Sequence, residues 1–154
     1  MTPLSPSPET LPVAELALRL GLSLAFGLAL GLERELRGKS AGLRTHALVA
    51  LSSAALTVFS LELAAGLETG RDPLRVVQGV AQAIGLICAG MVIHGQGGGV
   101  RNLTTAATLW TAAAVGIACG AGFWALAALT AAGVLLVVVL GGIAVRILPR
   151  SGED

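Results

Sequence analysis

The chain has 154 residues, of which 55% are hydrophobic and only 12% charged, with a formal net charge of +1. Its mean hydropathy of +0.83 is too high for an ordinary soluble domain. A nearly neutral chain with no basic patch interleaved with aromatics gives no ground for a nucleic-acid partner.

A helix needs about 20 mostly apolar residues, each rising 1.5 Å, to cross roughly 30 Å of hydrocarbon. Five segments meet that length, at 11–32, 45–67, 74–93, 103–120 and 123–148. They are continuous Leu- and Ala-rich runs rather than alternating ones, which predicts helices instead of barrel strands. The expected fold is all-α, a polytopic membrane protein in a lipid bilayer. It comprises an N-terminal tail at 1–10, a transmembrane domain over 11–148 and a C-terminal tail at 149–154. The head, MTPLSPSPETLP, has no basic residue before the apolar run, so the first span is expected to remain in the mature chain.

In the first span Glu15 and Arg19 form an i,i+4 pair, and Gly27 with Gly31 makes a GxxxG step suited to close helix contact. The hairpin that follows concentrates charge at Glu33, Arg34, Glu35, Arg37, Lys39 and Arg44. Glu33 and Arg37 are spaced as an ion pair, with Arg34 and Glu35 pointing elsewhere. Arg44 is long enough to snorkel back to Glu33 or to lipid phosphate. Gly42 allows a tight turn into the second helix, and Thr45 is a candidate cap there, with an earlier start at Ser40 as the alternative. The hairpin reads either as a solvated topology determinant or as a functional site at the bilayer edge.

Glu62 lies near the far end of the second span. Asp72 and Arg75 are expected to cap the third span from outside, with Pro73 suited to a first helical position. Gln78 and Gln82 share one face of that helix and are expected to point at neighbouring helices, while Gly85 and Ala89 repeat the small-residue step. His94, at its end, reads as interfacial. A glycine loop then leads to Arg101, Asn102, Thr104 and Thr105. Asn102 or Thr104 is expected to cap the fourth helix, whose positive end with Arg101 suits an anion. Ordinary capping beside an inside charge is the plainer reading.

Trp110 is expected to pack, and Ala112, Gly116 and Gly120 extend a small face along the fourth helix. The fifth span is the most uniformly apolar and is expected to face lipid. Cys88 and Cys119 stand apart in apolar runs and read as small buried hydrophobes. Arg34, Arg37, Lys39, Arg44, Arg101, Arg146 and Arg150 fall on one side of the membrane, against Arg19, Arg71 and Arg75 on the other. The positive-inside rule therefore places the hairpin and the C-terminus in the cytoplasm and the N-terminus outside.

Two blocks carry a resemblance. GLERELRGKSAGLRTHALVAL is similar to the Gly-x-Glu-Arg turn and the Ala-Gly-Leu-Arg-Thr run of the MgtC/SapB family of bacterial inner-membrane proteins. Gly31, Glu33, Arg34, Lys39, Gly42, Arg44 and Thr45 stand at its motif positions. DPLRVVQGVAQAIGLICAGMVI with VRNLTTAATLWTAAAVGIACGAG resembles that family's third and fourth helices, through Asp72, Arg75, Gly85, Gly90, Arg101, Thr104, Thr105 and Trp110. The chain departs from the pattern at Gly79, where the family shows Gln, at Ala83, and at Asn102, where it shows Gly. Longer members add a soluble C-terminal domain, so this chain reads as a short form.

The resemblance implies a role in adaptation to magnesium limitation and, in pathogens, in survival inside host cells. Two mechanisms accompany it. One is magnesium transport. The other is regulation through other membrane proteins, the proton-translocating ATP synthase among them. A magnesium path needs oxygen ligands facing a cavity at membrane depth, and no carboxylate lies near the centre of a span. Small-residue helix faces and a distinctive cytoplasmic hairpin suit the regulator, with a homo-oligomer built through Gly27 and Gly31 or the fourth-helix small face. Neither a nucleophile–base pair nor a metal cluster argues for an enzyme or a cofactor, although bound magnesium fits the transport reading.

Overall fold

The computed structural model describes residues 11–65, 72–93 and 101–147, and within them the regular elements are helices. These are α1 (Val13–Leu36), α2 (Leu43–Ala65), α3 (Leu74–Ile93), α4 (Leu103–Gly120) and α5 (Trp124–Ile147). All five are long and apolar enough to cross a membrane, as the all-α reading expects. The third and fourth lie where the sequence places them, and the fifth differs only at its ends.

The first helix runs further than expected, to Leu36, so Glu33, Arg34 and Glu35 are helical. Gly38 sets the stop. Its φ of +60° is a left-handed conformation that glycine adopts without penalty. The bonds from Gly38 N–H to Glu35 C=O (2.9 Å) and from Lys39 N–H to Arg34 C=O (3.0 Å) close a Schellman motif. The same device ends α4. Gly122 has φ +79°, and its N–H donates to Cys119 C=O at 3.0 Å while Phe123 N–H donates to Ala118 C=O at 2.8 Å.

α4 is central and touches every other helix, while α1 and α2 make the most extensive pair. Glycine makes this closeness available. A Cβ on Gly27 would come 2.9 Å from the Ala47 Cα, and one on Gly31 only 2.6 Å from the Leu43 Cα. Gly116 and Gly120 lie against the Ala50 and Ala54 carbonyls of α2 in the same way. Lipid offers helices no hydrophobic drive to associate, so such backbone contact replaces it. The core that results is built from Leu30, Ala112, Val115, Ala118, Cys119, Ala127 and Ala131.

These glycine faces are therefore spent inside one chain, which corrects the expectation that they join copies. Gly85 also departs from expectation, since nothing lies within 4 Å of a Cβ built there. α3 rests on α4 through Val80, Ile84 and Ala113 and barely touches α2. α5 is the least buried span, as its composition suggests. Cys119 is fully buried and Cys88 partly so, both as free thiols.

Candidate functional site

At the hairpin end, helices α1, α2 and α4 enclose a buried polar network. Arg34, on the last turn of α1, is only 4% exposed, and its Nη2 donates to Thr105 Oγ1 at 2.7 Å. His46, on the first turns of α2, is fully buried. Its Nδ1 lies 2.9 Å from Gly42 C=O, an acceptor only, so Nδ1 carries the proton. Its Nε2 lies 3.2 Å from Thr108 Oγ1, which in turn lies 2.9 Å from Thr105 C=O. The single Thr108 hydroxyl proton serves one of these neighbours at a time. A neutral His46 takes it at Nε2, whereas an imidazolium leaves it to the Thr105 carbonyl.

Glu33 and Arg37 form the expected i,i+4 ion pair, and Arg34 Nη1 stands 3.7 Å from the other Glu33 oxygen. The Glu33 side chain is 13% exposed, and neither carboxylate oxygen receives a directed hydrogen bond. The Arg34 Nε is likewise buried without one. The Arg37 guanidinium lies over the backbone of Gly142 on α5, which ties the pair to a fourth helix.

The turn into α2 differs in its details from the sequence reading. The helix begins at Leu43, which puts Thr45 within the first turn rather than at the cap. Glu35 takes that role, its Oε2 accepting from Leu43 N–H at 3.1 Å. Gly42 has an ordinary negative φ, and what demands glycine there is space, since a Cβ would occupy the Glu35 carboxylate. Arg44 is exposed and makes no bond to Glu33. Lys39 is also exposed.

Among the third- and fourth-helix candidates, the network includes Thr105 alone. Thr104 and Arg101 are exposed beside it. Asn102 stands at the cap position with φ +63°, the left-handed region that asparagine tolerates best after glycine. Its side chain does not cap α4. Its Nδ2 donates instead to Met91 C=O at 3.3 Å, joining the end of α3 to the start of α4. Trp110 is 47% exposed and faces outward rather than packing. Gln78 and Gln82 also face outward, contrary to expectation, because Val80 and Ile84 take the side of α3 that meets α4.

At the opposite end Asp72 Oδ1 accepts from Leu74 N–H at 2.9 Å, the expected cap, and Arg75 is exposed. Arg19 pairs with Glu15 at 2.9 Å, donates to Gly120 C=O at 2.8 Å and lies 5.9 Å from the Trp124 ring centre. Arg71, His94 and Arg150 lie outside the described residues. Among the described residues, no group of three or more His, Cys, Asp or Glu side chains is placed to hold a metal ion.

His46 and Thr108 are absent from the sequence-based candidates, and Glu35 stands there among the hairpin charges without its cap role. A histidine inside an apolar span, four residues after a glycine, was the available signal for the first.

The MgtC family model matches residues 20–146, which includes the whole network. Over 111 residues the chain is 43% identical to Protein MgtC of Brucella abortus, covering 72% of this chain and 44% of that protein. It is 37% identical to Protein SapB of Bacillus subtilis, covering 71% and 49% of the two chains. With the Putative magnesium transporter YhiD of Escherichia coli it shares 38% identity, over 73% and 54%. The chain thus spans about half the length of the curated relatives it matches. No solved structure matches it. A family match over most of the chain, the five apolar helices and these relatives together establish that this multi-pass membrane protein belongs to the MgtC family.

Proposed function

We propose that this protein is a bacterial inner-membrane regulator that acts by docking on other membrane proteins during adaptation to magnesium limitation. The observation that carries this reading is the inward-turned network. Arg34, Thr105, Thr108 and His46 direct their hydrogen bonds at one another and at Gly42. An ion path needs polar groups that face a cavity and release their cargo. Here the space between α1, α2 and α4 is closed by glycine-to-backbone contact. The network fixes the geometry of the hairpin instead, and leaves Lys39, Arg44 and Arg101 exposed as a basic surface around it. The positive-inside rule puts that surface in the cytoplasm and the N-terminus outside. A multi-helix membrane protein such as the ATP synthase is the class of partner this reading calls for.

Transport of magnesium or another ion is the second reading. Its support is the name of the Escherichia coli relative, Putative magnesium transporter YhiD, together with the Glu33 carboxylate, whose oxygens are buried without a directed hydrogen bond.

The deciding experiment measures magnesium flux in proteoliposomes, with Glu33→Gln and Arg44→Ala as controls, beside capture of membrane partners from cells. Absence of flux with capture that depends on Arg44 supports the regulator. Flux that vanishes in Glu33→Gln overturns it and establishes transport.

A further inference from the structure

We infer that the exposed face of α3 is a homotypic interface, with Gln78 and Gln82 pairing against the same residues of a second copy. Both are exposed and lie four residues apart, in line with exposed Leu86 and Ala89 on the same side of the helix. Gln82 is the ninth of the 20 residues of α3, about 12 Å from the helix start at 1.5 Å per residue and so near the bilayer midplane. Glutamine is too short to reach the interface from that depth as lysine and arginine do. Among the described residues, neither amide has a hydrogen-bond partner. Lipid tails offer none, so the partner is protein.

A second copy is the occupant that fits. Copies inserted in the same sense are related by a two-fold axis along the membrane normal, which brings Gln82 to Gln82 at one depth. A primary amide both donates and accepts, so two of them close a reciprocal N–H···O=C pair without any further group. Ala89 is small and exposed in line with the amides, and nothing lies within 4 Å of a Cβ built on Gly85 beside them, whereas Gly79 and Ala83 line the cleft between α3 and α2. Two backbones can therefore approach closely enough for the amides to meet. Among the described residues, the exposed side chains of α5, such as Leu129, Leu136, Val137 and Leu140, and those of α1 as far as Leu32, such as Leu18 and Leu24, are apolar and suit lipid. The glycine faces of α1 and α4 are already occupied within the chain. That leaves α3.

The test is self-association of the full chain in phosphatidylethanolamine–phosphatidylglycerol vesicles, read by energy transfer between labelled copies as protein is diluted in lipid. The wild type is expected to dimerise. Gln82→Leu should weaken association about tenfold, Gln78→Leu with Gln82→Leu further, and Gln82→Asn least. Equal association in the double leucine variant overturns the inference, as does a wild type that is monomeric throughout. In a second measurement both glutamines are kept and Cys88→Ala with Cys119→Ala removes the native thiols. Leu86→Cys should then cross-link between copies, and Leu136→Cys on α5 should not. Cross-linking through α5 alone overturns the assignment to α3.

Discussion

Arg34 and Arg44 are both basic and only ten positions apart, yet they do opposite things. Arg34 is buried and divides its guanidinium between Thr105 on α4 and Glu33 on its own helix. Arg44 points away from the bundle. Removing Arg34 takes the donor from Thr105 and leaves Glu33 with Arg37 as its remaining ion-pair partner, a loss of about 1.5–3 kcal/mol for a buried hydrogen bond from a charged group. Arg34→Ala should therefore lower thermal stability in mild detergent by about that amount, while Arg44→Ala should stay within about 0.5 kcal/mol of the parent. Equal stability of the two variants would show that the Arg34 contacts carry no weight. The family motif places both arginines together, and only the helical phase separates them. Extending α1 to Leu36 turns Arg34 inward, and the Gly38 stop that fixes this extension stood in the sequence as a helix-end signal.

Among the helix glycines some meet another backbone and some meet nothing, while Gly142 lies under the Arg37 side chain. Gly27, Gly31, Gly116 and Gly120 are in the first group, and Gly85 and Gly133 in the second. Gly27→Ala should force α1 away from α2 and destabilise by about 1–3 kcal/mol. Gly133→Ala, in open space on α5, should instead stabilise by up to about 1 kcal/mol through helix propensity alone. Unfolding of both variants in parallel checks the contrast, and a neutral Gly27→Ala would refute the close contact. Hydropathy revealed all five spans because crossing lipid demands a length and a composition that little else in the sequence imitates. It also showed the GxxxG steps, which recur whether or not they are used, but not which of them were. Gly27–Gly31 and Gly85–Ala89 look alike in the sequence, and only the position of α3, beside α4 and away from α2, sets them apart. The misreading of Gln78 and Gln82 has the same origin, since the sequence identifies a shared face but not its direction.

Across the whole molecule, the bond from Arg34 to Thr105 puts the α1–α2 hairpin and the start of α4 at one end, and Arg19 with Gly120 marks the other. With the native cysteines replaced, Ser40→Cys and Arg101→Cys should react with an impermeant thiol reagent from the cytoplasmic side. Asp72→Cys should react from the opposite side. Reaction of Ser40→Cys and Asp72→Cys from one side would contradict the five-span topology. The network also sets an order of events during synthesis. Arg34 and His46 belong to the first two helices, whereas their partners on α4 follow 71 and 62 residues later. The first hairpin thus leaves the ribosome with an arginine and an imidazole waiting for groups not yet made. An insertion machinery that holds α1 and α2 in a polar environment until α4 arrives would spare them that exposure. A chain halted between α3 and α4 should accordingly be held by that machinery or degraded.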